Sequence, residues 1–170
     1  MTSTARRLAL PLLVFVSLAH AGHPQSLAAR VGDAAFESGD AEISFIAPGG
    51  GAFTLNAATR GASAWPPPKT RIDRLAIVCD GFVDGQPLRL DPAAFARSTC
   101  SVTFERGSKP MGGDPDASYR LDKRSAENRF EITAANGKVY AGTFAFDLVD
   151  DKGATLRIVQ GHFEVEDRQL

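Results

Sequence analysis

An all-β domain, built as an antiparallel sandwich or a partly closed barrel with one short helix near residues 92–97, is what this sequence predicts. Three observations carry the prediction. Short runs alternate apolar and polar residues, as in Cys100-Ser101-Val102-Thr103-Phe104, and that period of two is the signature of a half-buried strand. Sixteen glycines and ten prolines punctuate those runs, as turns do in β-rich chains. Long Ala/Leu/Glu/Lys stretches at helical period are absent, and phenylalanine, with eleven copies, is the dominant aromatic.

The chain opens on MTSTARRLALPLLVFVSLAHA. Arg6 and Arg7 precede an apolar run from Leu8 to Ala19, and Ala19-His20-Ala21 offers small residues at the positions a signal peptidase reads. The run is twelve residues long and contains Pro11, whereas a spanning helix needs roughly 20 apolar residues. A secretory signal peptide cleaved after Ala21 is therefore expected over a membrane anchor, with Ser26-Leu27-Ala28 a more distant second site. No cysteine follows either site to carry a lipid, so the expected product is soluble and periplasmic or extracellular. Residues 22–27 are expected to form a loose leader and residues 28–170 a single β domain.

From there each element follows in order. Over Ala28 to Phe36, small apolar residues flank the turn Val31-Gly32-Asp33 and predict a short strand or two. Ala41 to Ala47 and Ala52 to Ala57 alternate around Pro48-Gly49-Gly50-Gly51, which reads as a hairpin. Thr59 to Lys69 (TRGASAWPPPK) follows. Its three consecutive prolines cannot sit in a central strand and favour an extended conformation, so a surface crossover between layers, as in a Greek key, is expected. A strand runs from about Arg71 to Cys79, and Leu88 with Leu90 makes another. Asp91-Pro92 opens the helix, because Asp can cap free amides and Pro suits the first helical position. Cys100 to Glu105 is a strand, and a further short one is expected near Tyr119 to Leu121. Asn128 to Ala134 and Val139 to Val149 flank Asn136-Gly137, a hairpin signal. Beyond the turn at Asp150-Asp151-Lys152-Gly153, Leu156 and Ile158 fall on even positions but Phe163 and Val165 on odd ones. A β-bulge at Gln160-Gly161 would return all four to one face.

A local pattern recurs three times at irregular spacing, at Gly51-Ala52-Phe53, Gly142-Thr143-Phe144 and Gly161-His162-Phe163, the last two in the C-terminal meander. Glycine there is expected to relieve crowding where backbone passes over a core phenylalanine. Over residues 128–166 the meander resembles the ending of small bacterial secreted and lipoprotein β-domains, in which a Gly-Thr-Phe strand, a turn and a Gly-x-Phe strand close the chain. The resemblance implies a fold and no activity, and this chain departs from the lipoprotein versions in lacking the anchor cysteine.

Cys79 and Cys100 are the only cysteines, and each is in phase with the inward residues of its strand. In an oxidising compartment they should form a buried disulfide. Redox chemistry lacks the Cys-x-x-Cys spacing, and a metal site would need more nitrogen or sulfur ligands than the sequence places nearby.

Composition and motifs narrow the function. The signal holds two of the 19 basic residues and none of the 20 acidic ones, so the remainder carries a formal charge of −3. Mild acidity with scattered signs argues against nucleic acid, which wants a basic face, and against anionic membrane surfaces. His20 leaves with the signal, His23 sits in the leader, and His162 is expected to point outward from its strand. No Gly-x-Ser-x-Gly elbow is present, so no catalytic constellation emerges and no cofactor is implied. Asp80/Asp84, Asp114/Asp116 and Asp150/Asp151 are expected to serve turns. Asp80 and Asp84 are weak candidates for a cation.

Two segments are candidate contact surfaces. One is Trp65, the only tryptophan, whose first expectation is that it covers an open end of the core, with an exposed aromatic platform as the alternative. The other is the polar loop from Arg106 to Ala117, with Lys109, Met111, Asp114 and Asp116. The expected function is a non-enzymatic binding or accessory module of the cell envelope with a protein or glycan partner. A carboxylate-based hydrolase and a calcium-stabilised structural protein are the alternatives.

Overall fold

The computed structural model describes residues 22–109 and 113–168. The described chain is an all-β fold of eleven antiparallel strands, nearly closed into a barrel. The strands are β1 (Ser26–Val31), β2 (Ala34–Ser38), β3 (Ile43–Gly49), β4 (Ala52–Ala58), β5 (Ile72–Asp80), β6 (Leu88–Leu90), β7 (Ser101–Ser108), β8 (Ala117–Leu121), β9 (Arg129–Asn136), β10 (Val139–Val149) and β11 (Thr155–Glu166). One helix, α1 (Pro92–Arg97), interrupts them. Spatial order is β2-β1-β11-β10-β8-β7-β5-β4-β3, with β9 pairing β10 and β6.

Alternation puts one face of each strand inside. Phe53, Leu55, Ile77, Phe104, Phe130, Ile132, Phe146 and Ile158 are fully buried. The phenylalanines form a continuous run of ring contacts. It passes from Phe45 to Phe53 at 5.7 Å, then to Phe130 at 5.1 Å, Phe163 at 5.4 Å and Phe144 at 6.4 Å. Phe146 and the helix residue Phe95 complete it at 5.5 Å and 5.8 Å. Asp91 caps α1 by accepting from the Ala94 N–H at 2.8 Å, and Pro92 occupies the first turn. Phe95 is thereby held over the core.

The Gly-x-Phe repeats pair with each other. Gly142 stands opposite Phe163, and Phe144 opposite Gly161, in the β10–β11 ladder. A Cβ on Gly142 would lie 2.0 Å from the Glu131 carbonyl oxygen and 2.5 Å from the Phe163 ring. One on Gly161 would lie 2.5 Å from the Phe144 ring. Each glycine thus vacates the space that the other strand's phenylalanine fills. The expected bulge is present. Phe144 faces Gly161 and Phe146 faces Ile158, so three steps along β11 match two steps along β10. Gln160 takes φ 55° there, the single positive φ among the described non-glycine residues.

Cys79 and Cys100 form the expected disulfide, and both are buried. Val78 pairs with Ser101, so the bridge lies one step further along the same two neighbouring strands.

Three expectations are corrected. The proline segment is not a crossover: β4 and β5 are direct antiparallel neighbours, with Ala58 opposite Arg74, and the segment is the loop of a long hairpin. The leader is not loose. Ser26 and Leu27 belong to β1, and Gln25 is only 5% exposed. The turn of the β9–β10 hairpin is shifted by one residue. Val139 pairs with Asn136, leaving Gly137-Lys138 as the turn with Gly137 at φ 61°, the pattern of a type II′ turn.

Barrel closure is the least regular part. Between β3 and β11 one backbone bridge, Phe45 to Asp167, is formed. Side chains stand in for the rest of the ladder. Gln25 donates from Nε2 to the Ile43 carbonyl at 3.2 Å, and its Oε1 accepts from the Glu166 N–H at 3.1 Å. One primary amide therefore spans the seam as a peptide group would. Further along, the Ala47 N–H donates to Asp167 Oδ1 at 3.4 Å.

Candidate functional site

The loop from Thr59 to Arg71 leaves the sheet between β4 and β5. Its base is clasped by Thr59 and Asp73. The Thr59 N–H donates to the Asp73 carbonyl at 3.0 Å, and the Asp73 N–H donates to Thr59 Oγ1 at 2.9 Å. Two tight turns follow, Ala62 N–H to the Thr59 carbonyl at 2.9 Å and Ala64 N–H to the Gly61 carbonyl at 3.0 Å. Ser63 Oγ ties the rising limb to Glu42 Oε1 at 2.6 Å. At the top stands Trp65, 85% exposed, followed by a cis peptide bond to Pro66 and two further prolines. The expectation that Trp65 covers the core is overturned: Phe95 and the β1–β2 hairpin, whose Phe36 packs edge-on to Phe104 at 5.5 Å, contribute rings to the core instead.

Register places the second candidate loop beside the first. Ile72 at the start of β5 pairs with Ser108 at the end of β7, and Arg106 pairs with Ala117 at the start of β8. Both loops therefore leave the same edge of the sheet. The Asp73 carboxylate, 13% exposed, brackets them. It takes Arg71 Nε at 2.9 Å from the Trp65 loop, and the Gly107 N–H at 3.1 Å from the end of β7. Lys109 Nζ meets Asp116 Oδ1 at 2.8 Å across the second loop. The Lys109 hydrogen bond and charge hold the Asp116 carboxyl below the ordinary carboxylate range, with Arg71 adding a smaller attraction. Gly107 takes φ 66°, and a Cβ there would lie 2.0 Å from Asp116 Oδ2, so the carboxylate folds over bare backbone. Asp114 is exposed. Met111 lies outside the described residues.

Asp73 was not among the residues singled out from the sequence. The signal available was Arg71-Ile72-Asp73, opposite charges two residues apart at the start of a strand, which places them on one face.

The acidic pairs have local partners. Asp80 Oδ2 accepts from the Thr99 N–H at 3.5 Å, beside the disulfide. Asp84 accepts from the Tyr140 hydroxyl, which in turn accepts from the Gly85 N–H at 3.2 Å. Burial first, and the Asp84 carboxylate second, push the Tyr140 phenol above its ordinary value. Asp150 Oδ1 accepts from the Lys152 and Ala154 N–H groups at 2.9 and 2.7 Å, as a turn aspartate does. Among the described residues no three His, Cys, Asp or Glu side chains are grouped to hold a metal ion.

His162 points outward, as expected, and lines an open groove of about 430 Å³ over the bulge with Arg129, Thr143, Asp147, Arg157 and Gln160. The groove's charges are spent on one another. Arg157 makes two hydrogen bonds to Asp147, at 2.9 and 3.4 Å, and Arg129 meets Glu127 at 3.4 Å. That leaves the Trp65 face as the stronger candidate site.

No protein-family model, no curated protein and no solved structure matches the chain.

Proposed function

We propose that this protein is a secreted or periplasmic, non-enzymatic binding module of the cell envelope, and that it grips a protein or glycan partner with Trp65 and the flanking Lys109–Asp116 segment. The observation that carries the reading is Trp65, 85% exposed on a loop whose base is tied by five hydrogen bonds and turns. Covering an indole removes roughly 150–250 Å² from water, worth about 4–6 kcal/mol gross at about 25 cal/mol per Å². A clasped, proline-bearing loop holds that surface in place beforehand, so less ordering entropy is lost on contact. Planar aromatic rings serve both sugar faces and protein hot spots.

Trp65 is the only tryptophan, so intrinsic fluorescence reports on this face alone. Purified mature protein is titrated with soluble envelope glycan fragments and, separately, with fractionated envelope proteins. The expected result is a blue shift and protection from acrylamide quenching in one series. Affinity should fall at least about tenfold in Trp65→Ala, the cost of losing a hot-spot aromatic. Lys109→Ala and Asp116→Ala should have smaller effects. A partner bound equally by wild type and Trp65→Ala would overturn the assignment of this face.

A further inference from the structure

The seam between β3 and β11 carries an uneven charge. Asp40, Glu164 and Glu166 face the segment Gly22–Gln25, and the cations on the same patch are Arg168 and, when protonated, His23. Arg168 is shared out: its guanidinium meets Asp40 Oδ1 at 2.8 Å and Glu166 Oε2 at 2.9 Å, and it also donates to the His23 carbonyl. Its hydrogen bonds hold the Asp40 and Glu166 carboxyls below the ordinary range. The His23 ring meets Glu164 Oε1. Glu166 Oε2 also accepts the His23 N–H at 2.9 Å. A Cβ placed on Gly22 would stand 2.9 Å from that same oxygen and 3.1 Å from Arg168 Nη2. The Gly22 nitrogen is two bonds from that position, so it belongs to the same patch.

We infer that cleavage between Ala21 and Gly22 completes this seam: the α-ammonium it creates on Gly22 pairs with Glu166 and anchors the segment ahead of Gln25 to β11, beyond the end of the β1–β11 ladder at Ser26 and Glu164. This rests on the secretory processing proposed above. Before cleavage, Gly22 contributes a neutral peptide N–H to a patch with three carboxylates. After cleavage it contributes a full positive charge at the same place. Because Gln25, three residues on, spans the seam by itself, anchoring the chain ahead of it holds that amide in register. Processing then does two things at once. It releases the product, and it tightens barrel closure.

The sign of the pH dependence follows. Three carboxylates, Asp40, Glu164 and Glu166, outweigh the one fixed cation, Arg168, around Gly22, so the net field raises the α-ammonium above its unfolded value, about 8. Its stabilisation is fully present below that value and is lost as pH rises through the raised folded one. The test uses the full chain from Gly22 in two forms, with a free amine and with the amine acetylated. Each is made as wild type and as Glu166→Gln. The reading is the folding equilibrium constant by denaturant titration from pH 6 to 10, with NMR titration of the Gly22 amine alongside. At pH 6 the free-amine form should fold with a constant about threefold larger than the acetylated form, the size of a partly exposed pair. The ratio should shrink to one by pH 10, and should be near one throughout in Glu166→Gln. The four-way comparison cancels the other bonds Glu166 makes. Equal stability of free and acetylated wild type at pH 6, or an amine that titrates as in an unfolded chain, would overturn the inference. N-terminal sequencing of the envelope-fraction protein tests the processing site separately. A different cleavage point would sink the processing reading while leaving the charge measurement intact.

Discussion

Asp73 holds two loops with one carboxylate, and so it is the residue at which the candidate site is most vulnerable. Replacing it by alanine strands the Gly107 N–H and frees Arg71. A buried hydrogen bond to a charged group is worth about 1.5–3 kcal/mol. Asp73→Ala should therefore lose about 2 kcal/mol in urea denaturation, with faster amide exchange at Gly107, while Asp114→Ala stays within about 0.5 kcal/mol as an exposed substitution does. Asp147 gives a pH counterpart. Burial works to raise its carboxyl, but the hydrogen bonds from Arg157 and Ser125 outweigh it, and the group sits below the ordinary value. A depressed carboxylate stabilises the fold above its unfolded pKa, about 3.9, and loses that contribution as pH falls through the folded one. Asp147→Asn should flatten the acid limb of the stability profile below about pH 4; an unchanged limb would remove this group from the account. Neither residue was conspicuous in the sequence. Asp73 has Arg71 two positions away, but its second partner, Gly107, lies 34 positions away, and the partners of Asp147 lie 10 and 22 away; no local pattern encodes those longer distances.

At the scale of elements the sequence was far more legible, because alternation and turn chemistry are local. The bulge is the clearest case. Leu156 and Ile158 against Phe163 and Val165 could share a face only if one extra residue intervened, and the ladder shows that residue. Its position also makes a prediction. A non-glycine residue in the left-handed region costs about 1–2 kcal/mol that glycine does not. Gln160 is such a residue at φ 55°, so Gln160→Gly should raise stability by about 1 kcal/mol in thermal or chemical unfolding. Loss of stability would mean that its side chain makes a contribution larger than the backbone relief. The proline segment departs from the expected crossover for the opposite reason. Its composition forbids a strand, but whether it links neighbours or layers depends on β4 finding β5, which the Thr59–Asp73 clasp settles across 14 residues. Trp65 is exposed rather than laid over the core, and a loop's composition does not say which way its apex points.

For the whole molecule, two closures matter. The disulfide ties β5 to β7 around an excursion that carries β6 and α1, with a sequence separation of 21. On a chain-entropy estimate a loop of that length contributes roughly 3 kcal/mol. Cys79→Ala with Cys100→Ala should lower unfolding free energy by about that amount or more, because the two buried alanines leave space that the sulfurs filled, measured beside the oxidised parent. The second closure is the seam, where Gln25 and Asp167 substitute side chains for a ladder. Its phase could not be read ahead, because residues 22–27 offer no alternation and a glutamine after a leader has the composition of a surface residue. The all-β class was legible from strand count and turns; the choice of barrel over sandwich, and the way it shuts, were not.

The reciprocal Gly142–Phe163 and Gly161–Phe144 pairs carry an evolutionary consequence. Each ring stands where it does only because the facing glycine yields the place. At 161 the atoms a side chain would meet first belong to the Phe144 ring, so across any set of descendants of this chain positions 161 and 144 should change together or not at all. At 142 the Glu131 carbonyl oxygen stands closer still than the Phe163 ring, so a smaller residue at 163 leaves the glycine required.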